Sequence, residues 1–136
     1  MSIYMDHDLF EEAVLDIADQ INKSGDRYKY KQVFPVVTGG VTFAGRLAEV
    51  LGLPISHHVD SHTLVADDII RGGETTYPYR ARPIAVLYKT PDNNREYDVE
   101  PTYFFRETNE RVEFWWEKRI QATRAEVKKR SRKVEE

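Results

Sequence analysis

The chain contains no cysteine, so neither a disulfide framework nor a thiolate zinc site is open to it, and a reducing cytoplasm suits it. It has no apolar run long enough to cross a bilayer. Its first residues, MSIYMDHDLFEE, lack the charged-then-apolar order of a secretory leader. A cytoplasmic protein without membrane contact is expected. Internal repeats and low-complexity linkers are missing too. Net charge is small: 20 Lys and Arg against 23 Asp and Glu leave −3, so the molecule as a whole does not attract nucleic acid. That average hides a basic stretch from Lys118 to Lys133. Its interspersed glutamates read as a solvated helix face, with contact to RNA or DNA the alternative. What remains is 136 residues of ordinary globular composition, 40% hydrophobic and 32% charged, the length of one domain with a real core.

Periodicity predicts a helix over residues 7–23, with Phe10, Val14, Ile17 and Ile21 inward, Asp6 or Asp8 as its cap and Gly25 beyond its end. VFPVV (33–37) reads as an apolar strand ending in Thr38-Gly39-Gly40. VTFAGRLAEVLG (41–52) reads as a helix stopped by Gly52. PIS (54–56), TLVA (63–66) and IAVLYK (84–89) read as three further strands. These runs are continuously apolar rather than alternating, as in strands covered on both faces. Strands alternating with helices imply an α/β fold with a doubly wound, mostly parallel sheet. Beyond Lys89 the pattern is irregular: a polar turn over 90–96, short strands at 103–105 and 112–116, then a polar helix over 117–133. The expected organisation is a single domain, with core sheet and ligand loops in 33–89, a small hood in 90–117 and a basic tail from 118. Ligands of such sheets bind beyond the carboxyl ends of the strands, so Gly39-Gly40 and Gly72-Gly73 should share one edge.

The stretch LVADDIIRGGETT (64–76) carries the sharpest chemistry. Asp67 and Asp68 are read as ending the third strand, with side chains on opposite faces and therefore different tasks. One can accept hydrogen bonds from sugar hydroxyls or hold magnesium through water; the other can pair with a cation or brace the loop. Residues 71–75 are read as turning into a helix whose N-terminus, with converging amides freed by glycine, suits a phosphate monoester. Thr75 offers a hydroxyl to that phosphate or a cap to that helix, and Pro78 falls in its first turn. A diol-and-magnesium site beside a phosphate cradle fits a sugar phosphate.

Asp67-Asp68-Ile69-Ile70-Arg71-Gly72-Gly73-Glu74-Thr75 resembles the phosphoribosyl pyrophosphate loop of type I phosphoribosyltransferases, D-D-x-x-x-T-G-x-T after an apolar strand. PVVTGGVTFAGRLAEVLGLPI resembles that family's pyrophosphate loop and following helix. IAVLYKTP and ERVEFWWE are similar to the base-binding strand and hood of the xanthine-guanine and hypoxanthine enzymes. The resemblance spans roughly residues 33 to 117. It implies that Asp67 and Asp68 bind the ribose hydroxyls and organise Mg²⁺, and that Arg71 to Thr75 hold the 5′-phosphate. It implies that Thr38, Gly39 and Gly40 hold the pyrophosphate, often around a non-proline cis peptide. Lys89 would donate to a purine 6-oxo group, while Arg111 would stack on the base and Val112 offer it a main-chain carbonyl. The implied partners are phosphoribosyl pyrophosphate, a purine and further copies of the chain in a homodimer or higher homo-oligomer.

The motif departs from the family at four places. Arg71 stands where purine enzymes commonly carry an aspartate proposed as general base, and arginine accepts no proton near neutral pH. Thr38 replaces a Lys or Arg, Gly72 replaces a threonine, and only His57 to His62 stand where a longer closing loop is usual. Arg111 replaces a stacking aromatic, a milder change because a guanidinium plane also stacks. A nucleotide-binding module without chemistry is the alternative these changes raise. His57, His58 and His62 match no strong metal-ligand spacing and read as a polar loop. Of Trp115 and Trp116, one is expected in the core and the other over the base pocket or a subunit contact.

Overall fold

A computed structural model describes residues 2–135, with side chains through 133. The chain divides into two compact units, one of residues 11–109 and one combining 1–10 with 110–136.

The smaller unit opens on β1 (Ser2–Met5), a strand unread in the sequence because four residues carry too little periodicity to announce one. Asp6 then accepts a hydrogen bond at 2.8 Å from the Leu9 amide and caps α1 (His7–Ser24), a helix that continues into the larger unit.

In the larger unit, α1 buries Ala13, Val14, Ile17 and Ile21 and ends at Gly25, whose φ is +80°. β2 (Gln32–Pro35) leads through the Thr38 turn into α2 (Val41–Leu51), which buries Phe43, Ala44, Leu47 and Leu51 and stops at Gly52 in the left-handed conformation. β3 (Thr63–Ile70), β4 (Ile84–Lys89) and β5 (Tyr103–Glu107) complete a sheet of order β2-β3-β4-β5, every pair parallel. This is the parallel α/β architecture expected. β4 is buried from Ile84 through Tyr88, and β3 from Thr63 through Asp67, as continuous apolar strands require. Val36, Val65, Ile70, Ile84, Val86 and Val99 pack into one core cluster against Phe34, Val59, Tyr79 and Phe104.

Several expected boundaries move. The first strand ends at Pro35 rather than residue 37, and the Val37–Thr38 peptide beyond it is cis. Residues 54–56 form no strand of their own; Ile55 makes one isolated parallel bridge to Val33. β3 runs four residues past Ala66, because its ladder to β4 continues through Ile69–Tyr88 and Ile70–Lys89. No α-helix follows Thr75: a turn over 74–76 leads to a single 3₁₀ turn, Tyr77–Tyr79, that includes Pro78. Strand β5 reaches Glu107 rather than stopping at 105.

Back in the smaller unit, β6 (Arg111–Phe114) pairs in parallel with β1, and α3 (Trp115–Glu135) starts where the strand was expected to continue. Trp116 is buried, stacked on Phe114 at 4.5 Å and edge-on to Phe10 at 5.3 Å, so it is the core tryptophan of the pair. Among the described residues no helix is long and apolar enough to cross a membrane.

Candidate functional site

Asp67 and Asp68 sit inside β3, two residues before its end. Strand alternation places them on opposite faces. Asp67 is only 4% exposed, on the side of Val65, and Asp68 is half-buried. Each carboxylate is braced by the amide that follows it: the Asp68 N–H donates to Asp67 Oδ1 and the Ile69 N–H to Asp68 Oδ1, both at 2.8 Å. The Thr75 hydroxyl donates to Asp67 Oδ2 at 3.3 Å, so Thr75 ties the loop to the acid and caps no helix.

Burial, reinforced by the negative charge of Asp68, pushes the Asp67 carboxyl up to about 8. Burial raises Asp68 as well, against the opposing pull of its bonds to Asp67 and the Ile69 amide and of the Arg71 charge. The pair therefore retains a proton near neutral pH unless a cation joins it. Two adjacent carboxylates of this kind offer hard oxygen donors while leaving coordination positions for water and substrate, which is what magnesium requires. Among the described residues no group of three or more His, Asp or Glu is arranged to hold a metal unaided.

The Thr38 turn is pressed against this strand. A Cβ on Gly39 would lie 2.6 Å from Asp68 Oδ2, and one on Gly40 would lie 2.7 Å from the carbonyl oxygens of both Ala66 and Val36. Only glycine allows the approach at position 40, where the neighbours are backbone, whereas a side chain at 39 would have to displace the Asp68 carboxylate. Gly40 then caps α2, so the turn opens directly onto the positive end of an eleven-residue helix.

The second turn, Arg71 to Thr75, is held by its carbonyls. Ile70 O accepts from the Thr90 N–H at 2.9 Å, Arg71 O from the Thr90 hydroxyl at 2.8 Å, Gly72 O from the Tyr97 N–H at 3.0 Å and Gly73 O from the Tyr77 N–H at 2.9 Å. The amides of Gly72 through Thr75, and those of Thr38 and Gly39, donate to no acceptor among the described residues. A run of unengaged amides is an anion-binding concavity, so here the turn itself, without a helix behind it, offers the positive potential.

Both turns and the acid pair line one open cleft of about 350 Å³, together with Val36, Val37 and Glu96. Gly39, Gly72 and Gly73 thus share an edge, while Gly40 packs on the backbone behind it and is not part of the lining. Lys89 lies one strand over, beside Ile70 in the sheet. Its side chain is 15% exposed, 3.6 Å from a Glu100 carboxylate oxygen and 4.5 Å above the Phe104 ring, and it is not part of the cleft lining. Arg111, exposed, and Val112, buried, begin β6 in the smaller unit. His57 lines a different hollow with Ser56 and Tyr79, while His58 lies 3.8 Å from Asp60.

Sequence reasoning missed Glu96, Thr90 and Arg95. Glu96 brings a further carboxylate to the cleft, and Thr90 holds the second turn. All three fall in a stretch read as a polar turn; nothing local in TPDNNRE signals a contact with a loop some twenty residues earlier.

Neither a protein-family model nor a curated protein matches the sequence. Solved structures do. A purine phosphoribosyltransferase from Pyrococcus horikoshii aligns over 85% of this chain and 93% of its own, with a TM-score of 0.69 at 20% identity. The xanthine-guanine-hypoxanthine phosphoribosyltransferase of Helicobacter pylori aligns over 92% and 98%, with 0.69 at 15%. A hypothetical protein from Neisseria gonorrhoeae with bound ppGpp aligns over 86% and 89%, with 0.70 at 14%. At such identities the likeness establishes the fold, which is that of the phosphoribosyltransferases.

Proposed function

We propose that the protein is a magnesium-dependent purine phosphoribosyltransferase. It would move the 5-phosphoribosyl group of phosphoribosyl pyrophosphate onto guanine, xanthine or hypoxanthine, releasing pyrophosphate and a nucleoside monophosphate. The observation that carries this reading is one cleft in which buried Asp67 and half-buried Asp68 meet two turns whose amides are unengaged among the described residues. A ribose with a phosphate at one end and a diphosphate at the other presents charge and hydroxyls in that pattern.

Within this reading Asp67 and Asp68 hold the ribose diol and the hydrated magnesium. The Arg71–Thr75 turn, including Gly72, Gly73 and Glu74, takes the 5′-phosphate, while Thr38, Gly39 and Gly40 at the start of α2 take the diphosphate. Lys89 would leave Glu100 to donate to the purine 6-oxo oxygen. Magnesium bound there would neutralise charge on the diphosphate oxygens. A purine nitrogen bonds to C1 as the C1–O bond to pyrophosphate breaks, and the nitrogen's proton passes to solvent or phosphate, since Arg71 accepts none. Rate enhancement then comes from positioning and from charge placed around a cationic sugar centre. Residence in the cytoplasm and assembly as a homodimer belong to the same proposal.

The test is direct. Protein, magnesium, phosphoribosyl pyrophosphate and each purine in turn should yield the matching nucleotide, and absence of turnover with every base sinks the enzyme. The second reading, a nucleotide-binding module without chemistry, is favoured by Thr38, Arg71 and the short 57–62 connection. Binding of ppGpp by the Neisseria protein of the same fold lends it support. Calorimetric nucleotide binding with no pyrophosphate release would decide for it.

A further inference from the structure

The Arg95 side chain is 3% exposed, an unusual position for a guanidinium. Such a burial is tolerated only when the donors are met. Nε and Nη2 donate to the Thr90 carbonyl at 3.2 and 2.9 Å. Nη1 donates to the Val99 carbonyl and, at 2.7 Å, to Glu100 Oε1, while Nη2 also reaches Asp92 Oδ1 at 2.9 Å. The segment 90–100 is therefore wrapped around one side chain.

The backbone groups that Arg95 grips belong to the residues that carry the second turn. Thr90 takes the carbonyls of Ile70 and Arg71. Val99 packs so tightly on Gly73 that a Cβ there would lie 2.7 Å from its Cγ1, and Tyr97 between them donates to Gly72 O. The carbonyls of residues 70–72 are taken from this side, while the amides of Gly72 to Thr75 donate to no acceptor among the described residues.

We propose that Arg95 is a positioning residue for the phosphate-binding turn: its guanidinium folds residues 90–100 into the buttress that sets the amides of Gly72 to Thr75. The assignment rests on reading that turn as a phosphate cradle. Through Glu100, which Arg95 holds by one oxygen and which stands 3.6 Å from Lys89 by the other, the same side chain also touches the base side of the site. Lysine, a point charge without the planar fork, cannot serve all these acceptors.

The test uses Arg95→Lys and Arg95→Ala in the full chain, with guanosine monophosphate and guanosine as calorimetric probes. The ratio of the two affinities isolates the phosphate and removes any effect passed through Lys89. Both variants should weaken guanosine monophosphate roughly ten- to hundredfold more than guanosine, and guanidinium ion should restore part of that loss to Arg95→Ala. Thr90→Val, which deletes only the hydroxyl bonded to Arg71 O, should show a smaller loss of the same sign, and it stands in if the arginine variants fail to fold. In the ligand-free variants, amide exchange at Thr90 and Tyr97 should accelerate while the β3–β4 ladder stays protected. Equal weakening of both probes, or unchanged exchange at Thr90 and Tyr97, overturns the proposal. Should the wild type bind no guanosine monophosphate, the phosphate reading fails, and the exchange measurement alone decides whether Arg95 sets the turn.

Discussion

At Gly72 an added Cβ would meet nothing within 4 Å, whereas at Gly73, whose φ is +86°, it would meet Val99 Cγ1 at 2.7 Å and Tyr97 O at 3.1 Å. Adjacent glycines in one turn should therefore respond differently. Gly72→Ala should change unfolding free energy by less than about 0.5 kcal/mol, and Gly73→Ala should cost on the order of 1–3 kcal/mol. Urea titration of the two variants checks this; equal costs would mean that the buttress does not press on Gly73. Asp67 yields a second prediction. Its carboxyl is raised to about 8 in the folded chain from an ordinary 3.8, so the native state binds that proton more tightly than the unfolded one. Its stabilising contribution is full below pH 4 and is lost as pH rises through 8. In chelator, melting temperature should fall between pH 5 and 8.5, and Asp67→Asn should flatten that fall and exceed the wild type by more than about 1 kcal/mol at the alkaline end. A parallel pH profile for the two proteins counts against the buried-acid account. At this scale the acid pair and both glycine pairs were legible, because the chemistry of each is written in adjacent residues. Thr90 was not, since its meaning lies in carbonyls of a turn remote in the chain, and Arg95 was not, since it acts through the main-chain carbonyls of Thr90 and Val99, which side-chain identity does not announce.

Elements differ in how much of their stability is local, and that decides which of them could be read. Helices α1 and α2 bury regular apolar faces and end at glycines, so periodicity located both nearly to the residue. Strand β4 matched its expected bounds because it is apolar from end to end. Strand β3 was cut short at its acids, since charge normally marks an exit from a sheet; here pairing with β4 carries the backbone through them. β1 exists by virtue of β6 and has no signal of its own. Helix α3 is the opposite case, largely polar and exposed from Lys118 through Lys133. Past its first turns its support among the described residues is local, chiefly the Arg130–Glu126 pair at 3.1 Å. An exposed pair of this kind is worth roughly 0.3–0.5 kcal/mol, and an isolated helix of such length is marginal. Amide protection should therefore decline steeply beyond about Thr123, and a chain ending after Ala122 should melt within a few degrees of the full one. A large drop in melting temperature would reveal that the distal helix is held by something outside the single chain, a second copy first of all.

At the scale of the whole molecule, the proposed phosphoribosyl transfer requires that water be kept from the sugar. The connection His57–His62 folds back on itself: the Ser56 hydroxyl donates to His58 O at 2.8 Å, the His62 amide to Asp60 Oδ1 at 2.8 Å and the Asp60 amide to the Thr63 hydroxyl oxygen at 2.9 Å. A segment so short and so committed to its own bonds has no slack to reach over a ligand, unlike a lid that closes by exchanging loop conformations. If phosphoribosyl pyrophosphate binds in the cleft, solvent has access to the C1 centre that a closed site would deny it. Pyrophosphate release without any purine should then proceed at a measurable fraction of the purine-dependent rate, detected by a coupled phosphate assay with magnesium and phosphoribosyl pyrophosphate alone. Its dependence on protein concentration separates two causes. If a neighbouring copy shields the site, the purine-independent fraction grows on dilution as the assembly dissociates; if the cleft is open within each chain, the fraction is constant. Strict dependence on purine at every concentration would show that water is excluded without a lid, and would remove the short connection as the chain's main functional departure.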